Sequence, residues 1–144
     1  MLPFGITTAL QVVKTYGANP VEICKDLEID VYLRPFEHLK GVMMTDEKGT
    51  YIGIAEHLDS LERTYTLAHE LGHYFMHPHE IGYFWIHKNT CYPVSKIEKQ
   101  ADDFALTLVL LHLDLFFSHI EDRSDEEVAR MVDYLKNMGG ISYA

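Results

Sequence analysis

Residues 59–78 read DSLERTYTLAHELGHYFMHP, and this stretch decides the fold. Asp59 followed three residues later by Glu62 is a capping-box pair, in which the first side chain accepts from a backbone N–H at the helix start. Pro78 disfavours continuation past His77, so the spacing predicts a helix over 59–77. Leu61, Tyr65, Ala68, Gly72 and Phe75 share one face of it, while His69, His73 and His77 stack one turn apart on a neighbouring face. Such a helix is expected to be central and half surrounded by the rest of the chain.

Upstream, Thr8 to Tyr16 spaces Leu10, Val13 and Tyr16 at helical intervals, with Gly17 as the stop. Asn19 caps a short second helix that opens on Pro20 and runs through Val21, Ile23, Cys24 and Leu27. The pattern then changes to alternation at Val31 and Leu33, and Gly41 to Thr45 and Thr50 to Ala55 flank the turn residues Asp46 to Gly49. The expected class is therefore α+β: a small antiparallel sheet of about three strands packed on the central helix and further helices. If Thr50 to Ala55 is the sheet edge nearest that helix, an extended peptide can add to it as another strand.

Downstream, residues 78–94 read as a loop rich in aromatic side chains (Tyr83, Phe84, Trp85, Tyr92), which either packs down or offers a binding wall. Ser95 and Glu98 form a second capping-box pair before a helix with the stripe Ile97, Ala101, Phe104, Leu108 and Leu111. Ser124 and Glu127 repeat the signal before a last helix, about 125–138, that Gly139 and Gly140 terminate. No repeat, linker or low-complexity segment interrupts residues 1–144, which read as one domain.

Composition excludes several function classes. At 144 residues and 47% hydrophobic content, the chain can bury one core. A net charge of -10 and a pI near 5.2 argue against a phosphate-binding surface, so no direct nucleic-acid contact is expected. The longest apolar stretch, Leu106 to Phe117, is broken by His112 and Asp114 and falls short of the roughly twenty residues that span a bilayer. Lys14 comes too late for the charged leader of a secretory signal. With only Cys24 and Cys91, far apart, the expected setting is a reducing cytoplasm.

The chemistry lies in the histidine file. His69 and His73 are four residues apart, so their rings project from one helix face and can converge on one ion, Zn2+ by the chemistry of the ligands. Glu70 beside them is placed to act as general base on water that the ion acidifies, the chemistry of peptide hydrolysis. A hydrolytic zinc needs a third protein ligand, and two candidates compete. His79 has the spacing of the extended metzincin motif, but Met76 stands where that motif needs Gly to turn the chain. Glu98 has Asp102 one turn on, so one carboxylate can bind the ion while the other orients a ligand histidine. This pairing favours Glu98, although the same side chain would also satisfy a backbone donor in its capping box.

Two motifs in order, Thr66-Leu67-Ala68-His69-Glu70-Leu71-Gly72-His73 and Glu98-Lys99-Gln100-Ala101-Asp102-Asp103-Phe104-Ala105, resemble the ImmA/IrrE family of metallopeptidases over roughly residues 20–112. The resemblance implies a minimal gluzincin-like fold with His69, His73 and Glu98 as ligands, Glu70 as base and Asp102 behind a ligand. Family members often carry a histidine four residues past the motif, which His77 matches; a histidine in a last helical turn also suits the helix dipole. Leu111 stands where the family usually has a Pro, so the second helix is expected to run longer.

The resemblance also implies a protein substrate, a helix-turn-helix repressor on a separate chain, of a mobile element or stress response. A different class is a non-catalytic module in which zinc braces the fold and the domain sequesters a partner. The donor that would stabilise an oxyanion stays open among Tyr74, His77, His79, Tyr83, His87 and Tyr92.

Overall fold

The structure, a computed structural model, describes residues 2–78, 94–113, 124–127 and 130. Among them the elements follow in the order α1 (Phe4–Tyr16), α2 (Pro20–Asp26), β1 (Asp30–Arg34), β2 (Gly41–Asp46), β3 (Gly49–Ala55), α3 (Ser60–Met76) and α4 (Val94–His112). The α+β class is as expected.

Local signals fall where the chain needs them. Helix α1 begins four residues before the expected Thr8, because Gly5 and Ile6 are already buried, and it ends at Gly17, whose φ of 83° suits glycine. Asn19 Oδ1 accepts from the N–H of Val21, capping α2 with Pro20 at its first position. At the hairpin, Asp46 Oδ1 accepts from the N–H groups of Lys48 and Gly49, a side-chain turn that fixes the β2–β3 register with Asp46 opposite Gly49. Helix α4 continues through Leu111 to His112, the longer run that the absence of Pro predicts. At the start of the last predicted helix, Glu127 N–H donates to Ser124 Oγ; most of 125–138 lies outside the described residues.

The sheet corrects two expectations. Its order is β1-β3-β2, with β3 antiparallel to β2 but parallel to β1, so it is mixed rather than antiparallel throughout. A tight turn dictates only the β2–β3 pair. The position of β1 is decided by burial: Ile52, Ile54 and Ala55 make β3 the most apolar strand, and it takes the centre, leaving the exposed β1 at one edge. Residues Tyr51 to Ile54 are thereby paired on both sides, so the segment Thr50 to Ala55 is no sheet edge and a peptide cannot add there.

The inner sheet face, Met43, Ile52 and Ile54, packs toward the helices, where Ile6, Leu10, Ile23, Leu71, Phe104 and Leu108 complete the core. Helix α3 lies between the sheet and α4, and residues Tyr65 to His73 are buried along its length. Among the described residues, no helix is long and apolar enough to cross a membrane.

Candidate metal centre

Asp59 Oδ1 accepts from Glu62 N–H at 2.8 Å, which starts α3 one residue later and sets the phase that turns His69 and His73 toward α4. Gly72, inside the motif, sets how closely α4 approaches. A Cβ there would lie 3.1 Å from Phe104 Cδ1 and 3.3 Å from Ala101 Cα, so the two helices pack almost backbone to side chain. That closeness lets Glu98, one turn before Ala101, reach back over both histidines.

His69 Nε2 lies 3.0 Å from Glu98 Oε2, His73 Nε2 lies 3.1 Å from Glu98 Oε1, and the two Nε2 atoms are 3.2 Å apart. One ligand atom from each of these residues falls within 4.8 Å of the others. Edges of this length fit a tetrahedral zinc, for which bonds of about 2.0–2.1 Å imply ligand separations of roughly 3.3 Å. The donor set fits as well. Two imidazole nitrogens and two carboxylate oxygens point at one small volume, and Glu98 Oε1 is buried outside hydrogen-bonding geometry. A buried carboxylate oxygen so placed calls for a cation.

The groups behind these atoms hold them in place. Asp102 Oδ1 stands 3.0 Å from His69 Nδ1, so the ring donates its Nδ1–H to the carboxylate and turns Nε2 toward the cluster. Tyr65 OH, 3.4 Å from the same oxygen, donates weakly; burial first, then the Asp102 charge, raise the phenol above its usual range, so it stays a donor. Burial alone would lower the His69 pKa, but the hydrogen bonds to Asp102 and Glu98 outweigh it and raise the metal-free group to about 9. Burial would raise Glu98, and the adjoining imidazoles of His69 and His73 instead hold it at about 2.

Glu70 is 3% exposed and leaves α3 on the side of β2. A Cβ on Gly41, the first residue of β2, would lie 3.4 Å from Glu70 Oε1 and 2.5 Å from Thr66 Cγ2. Glycine suits that position because a Cβ would collide with Thr66 Cγ2, whereas its distance from the carboxylate is ordinary contact.

The structure thus brings His69, His73, Glu98 and Asp102 together, with Glu70 beside them. His77 does not join the ligand atoms: its Nδ1 faces His73 Nδ1 at 3.0 Å and its Nε2 faces Gln100 Oε1 at 2.7 Å, so both ring nitrogens are engaged behind His73. His79, Tyr83, His87 and Tyr92 lie outside the described residues, as do the aromatic loop and Cys91. Three contributors escaped the sequence reading: Gln100, Tyr65 as a partner of Asp102, and Gly41. None of the three carried a local signal: Gln100, two residues from both Glu98 and Asp102, is offset from the helix face those two share.

The α3–α4 spacing yields a first prediction. Gly72→Val should cost about 1–3 kcal/mol of stability, because the added methyl groups force Phe104 and the α4 backbone away. Zinc affinity should fall with it, since Glu98 moves with α4. A urea midpoint and a zinc titration equal to wild type would show that the approach is not set here.

A family model for peptidase M78, the IrrE N-terminal-like domain, matches residues 24–130. The chain is 34% identical over 108 residues to "Uncharacterized immunity region protein 2" of Bacillus phage phi105, covering 73% of this chain and 68% of that one. It is 30% identical over 131 residues to "Metallopeptidase ImmA" of Bacillus subtilis strain 168, covering 87% of this chain and 76% of that one. No solved structure matches. A matched region that holds both motif helices, together with these two relatives, shows that the chain belongs to the peptidase M78 family with the IrrE N-terminal-like domain.

Proposed function

We propose that this chain is a zinc-dependent endopeptidase of the cytoplasm that cuts one peptide bond in a helix-turn-helix repressor carried on a separate chain. The observation that carries the reading is the convergence of His69 Nε2, His73 Nε2 and Glu98 on one point, with the buried Glu70 next to it. Bound there, zinc would polarise the scissile carbonyl and acidify water. Glu70 accepts the proton of the attacking water on a carboxylate oxygen and returns it to the amide nitrogen as the C–N bond breaks. Asp102 holds His69 in the Nδ1–H form throughout.

Strand β2 starts beside Glu70, and among the described residues its other edge carries no strand. An extended substrate segment laid along that edge brings its carbonyl past the general base. Gly41→Ala, whose Cβ would press on Thr66 Cγ2, should therefore lower kcat/KM with zinc content unchanged. Unchanged kcat/KM would remove β2 from the substrate path.

The repressor as substrate is supported by the phage immunity-region relative and by the net charge of -10, which disfavours direct action on DNA. Cys24 fits a reducing setting, as a buried free thiol that burial pushes up to about 12 and so keeps protonated. The test is co-expression with the helix-turn-helix protein encoded beside the gene, read by intact mass. One chelator-sensitive cut is expected. Tight association without a cut under inducing conditions would instead favour a sequestering, zinc-braced module.

A further inference from the structure

His77 is 5% exposed, and a polar ring buried that deeply must have its nitrogens satisfied. Its two partners have unlike capacities. The Nδ1 atoms of His73 and His77 face each other at 3.0 Å, a gap that takes one proton: two would clash, and none would set lone pair against lone pair. Which ring owns that proton is decided on the far side, where Gln100 Oε1 sits 2.7 Å from His77 Nε2. A carbonyl oxygen only accepts, so His77 Nε2 carries a hydrogen and, in a neutral ring, Nδ1 is left as an acceptor. The shared proton then belongs to His73 Nδ1. The consequence falls on the opposite atom: with its proton kept on Nδ1, His73 can offer the Nε2 lone pair to a cation held where His69 Nε2 and Glu98 converge.

We propose that Gln100 and His77 are positioning residues that form a polarised relay, Gln100 to His77 to His73, and lock His73 in the tautomer able to bind a metal through Nε2. The inference rests on reading His69, His73 and Glu98 as a zinc site. Rotating the Gln100 amide by half a turn shows what the relay guards against. Its NH2 would then donate to His77 Nε2, His77 Nδ1 would carry the proton between the rings, and His73 would be left with Nε2–H pointing into the cluster. The two ligand histidines are thus oriented by different means. His69 leans on a carboxylate, Asp102, whereas His73 leans on a neutral amide through a second imidazole. With Glu70, Glu98 and Asp102 already around the two rings, a neutral acceptor fixes the tautomer without adding a fourth negative charge.

The experiment measures zinc affinity by competition with a chromogenic chelator. Gln100→Leu and His77→Leu should each weaken binding about 10–100-fold, the range for removing an outer partner of a metal-bound histidine. His77→Asn places Oδ1 where His77 has Nδ1, so it still accepts from His73 Nδ1–H and should stay within a few-fold of wild type. In that background Gln100→Leu should cost almost nothing, because Gln100 acts only through the His77 ring. A purely packing role predicts the reverse order, with the bulkier Leu better than Asn at position 77, and an equal Gln100→Leu cost in both backgrounds; either result overturns the relay. Long-range 15N–1H NMR of histidine-labelled, zinc-loaded wild type needs no variant: His73 must carry its proton on Nδ1, and metal on Nδ1 overturns the proposal. Wild type that binds no zinc in the same titration would instead overturn the zinc reading beneath it.

Discussion

Glu70→Gln is expected to keep its zinc and lose its cleavage, with kcat down by about 10²–10⁴, the contribution of a positioned general base. Glutamine has nearly the shape of glutamate, and residue 70 is buried between α3 and the start of β2, so the fold around it should persist. What changes is proton affinity, since an amide oxygen cannot take the proton of the attacking water. The metal should stay because His69, His73 and Glu98 form the convergent set without Glu70. Metal analysis and intact mass of the proposed substrate, measured on the same preparation, separate the two roles. Turnover within a few-fold of wild type would remove Glu70 from the mechanism, and loss of zinc would make it a ligand instead.

The sequence disclosed what depends on near neighbours. His69 and His73 sit one turn apart on a capped helix, so their convergence follows from helical geometry alone, and the Asp59 cap that sets the phase is itself local. That Glu98 and Asp102 both meet His69 was legible for a similar reason: residues four apart on one helix share a face. The sheet was less legible, because the Asp46 turn specifies β2 against β3 but no local residue says that β1 docks on the far side of β3. That choice is made by burial over the whole chain. The His77–Gln100 contact spans 23 residues and involves a glutamine, a residue type with no fixed chemical role, so nothing local announces it.

Helix α4 therefore serves the site with three consecutive even-numbered residues. Glu98 supplies the carboxylate, Gln100 backs His77 and Asp102 backs His69, while Ala101 and Phe104 press on Gly72 to keep the helix at the required distance. A shift of α4 along α3 would disturb all three contacts at once.

Glu98→Ala should abolish the stabilisation that zinc confers, and the pH dependence of that stabilisation tests the charge arrangement. Zinc at about 1,000 times its Kd adds roughly 4 kcal/mol, or about 10–15 °C in Tm for a domain of this size, and the variant should show little of it. In the metal-free wild type, His69 is raised from 6.5 to about 9, so its pairing stabilises fully below pH 6.5 and is lost as the pH rises through 9. Glu98 is lowered from 4.5 to about 2, so its share is present above pH 4.5 and lost as the pH falls through 2. The metal-free protein should accordingly be most stable between about 4.5 and 6.5. Zinc requires His69 Nε2 without its proton, so binding strengthens as that proton leaves, by up to about tenfold per pH unit on the approach to pH 9. The Tm gap between zinc-loaded and metal-free wild type should thus widen from pH 6.5 to 9, with free zinc held constant by a buffer. In Glu98→Ala the metal-free protein should also lose part of its decline over that range, because one of the two carboxylates that hold the His69 proton is gone. A gap that narrows toward pH 9 would show that zinc does not displace the His69 proton, and a Glu98→Ala protein with the full zinc-dependent rise in Tm would remove Glu98 from the metal site.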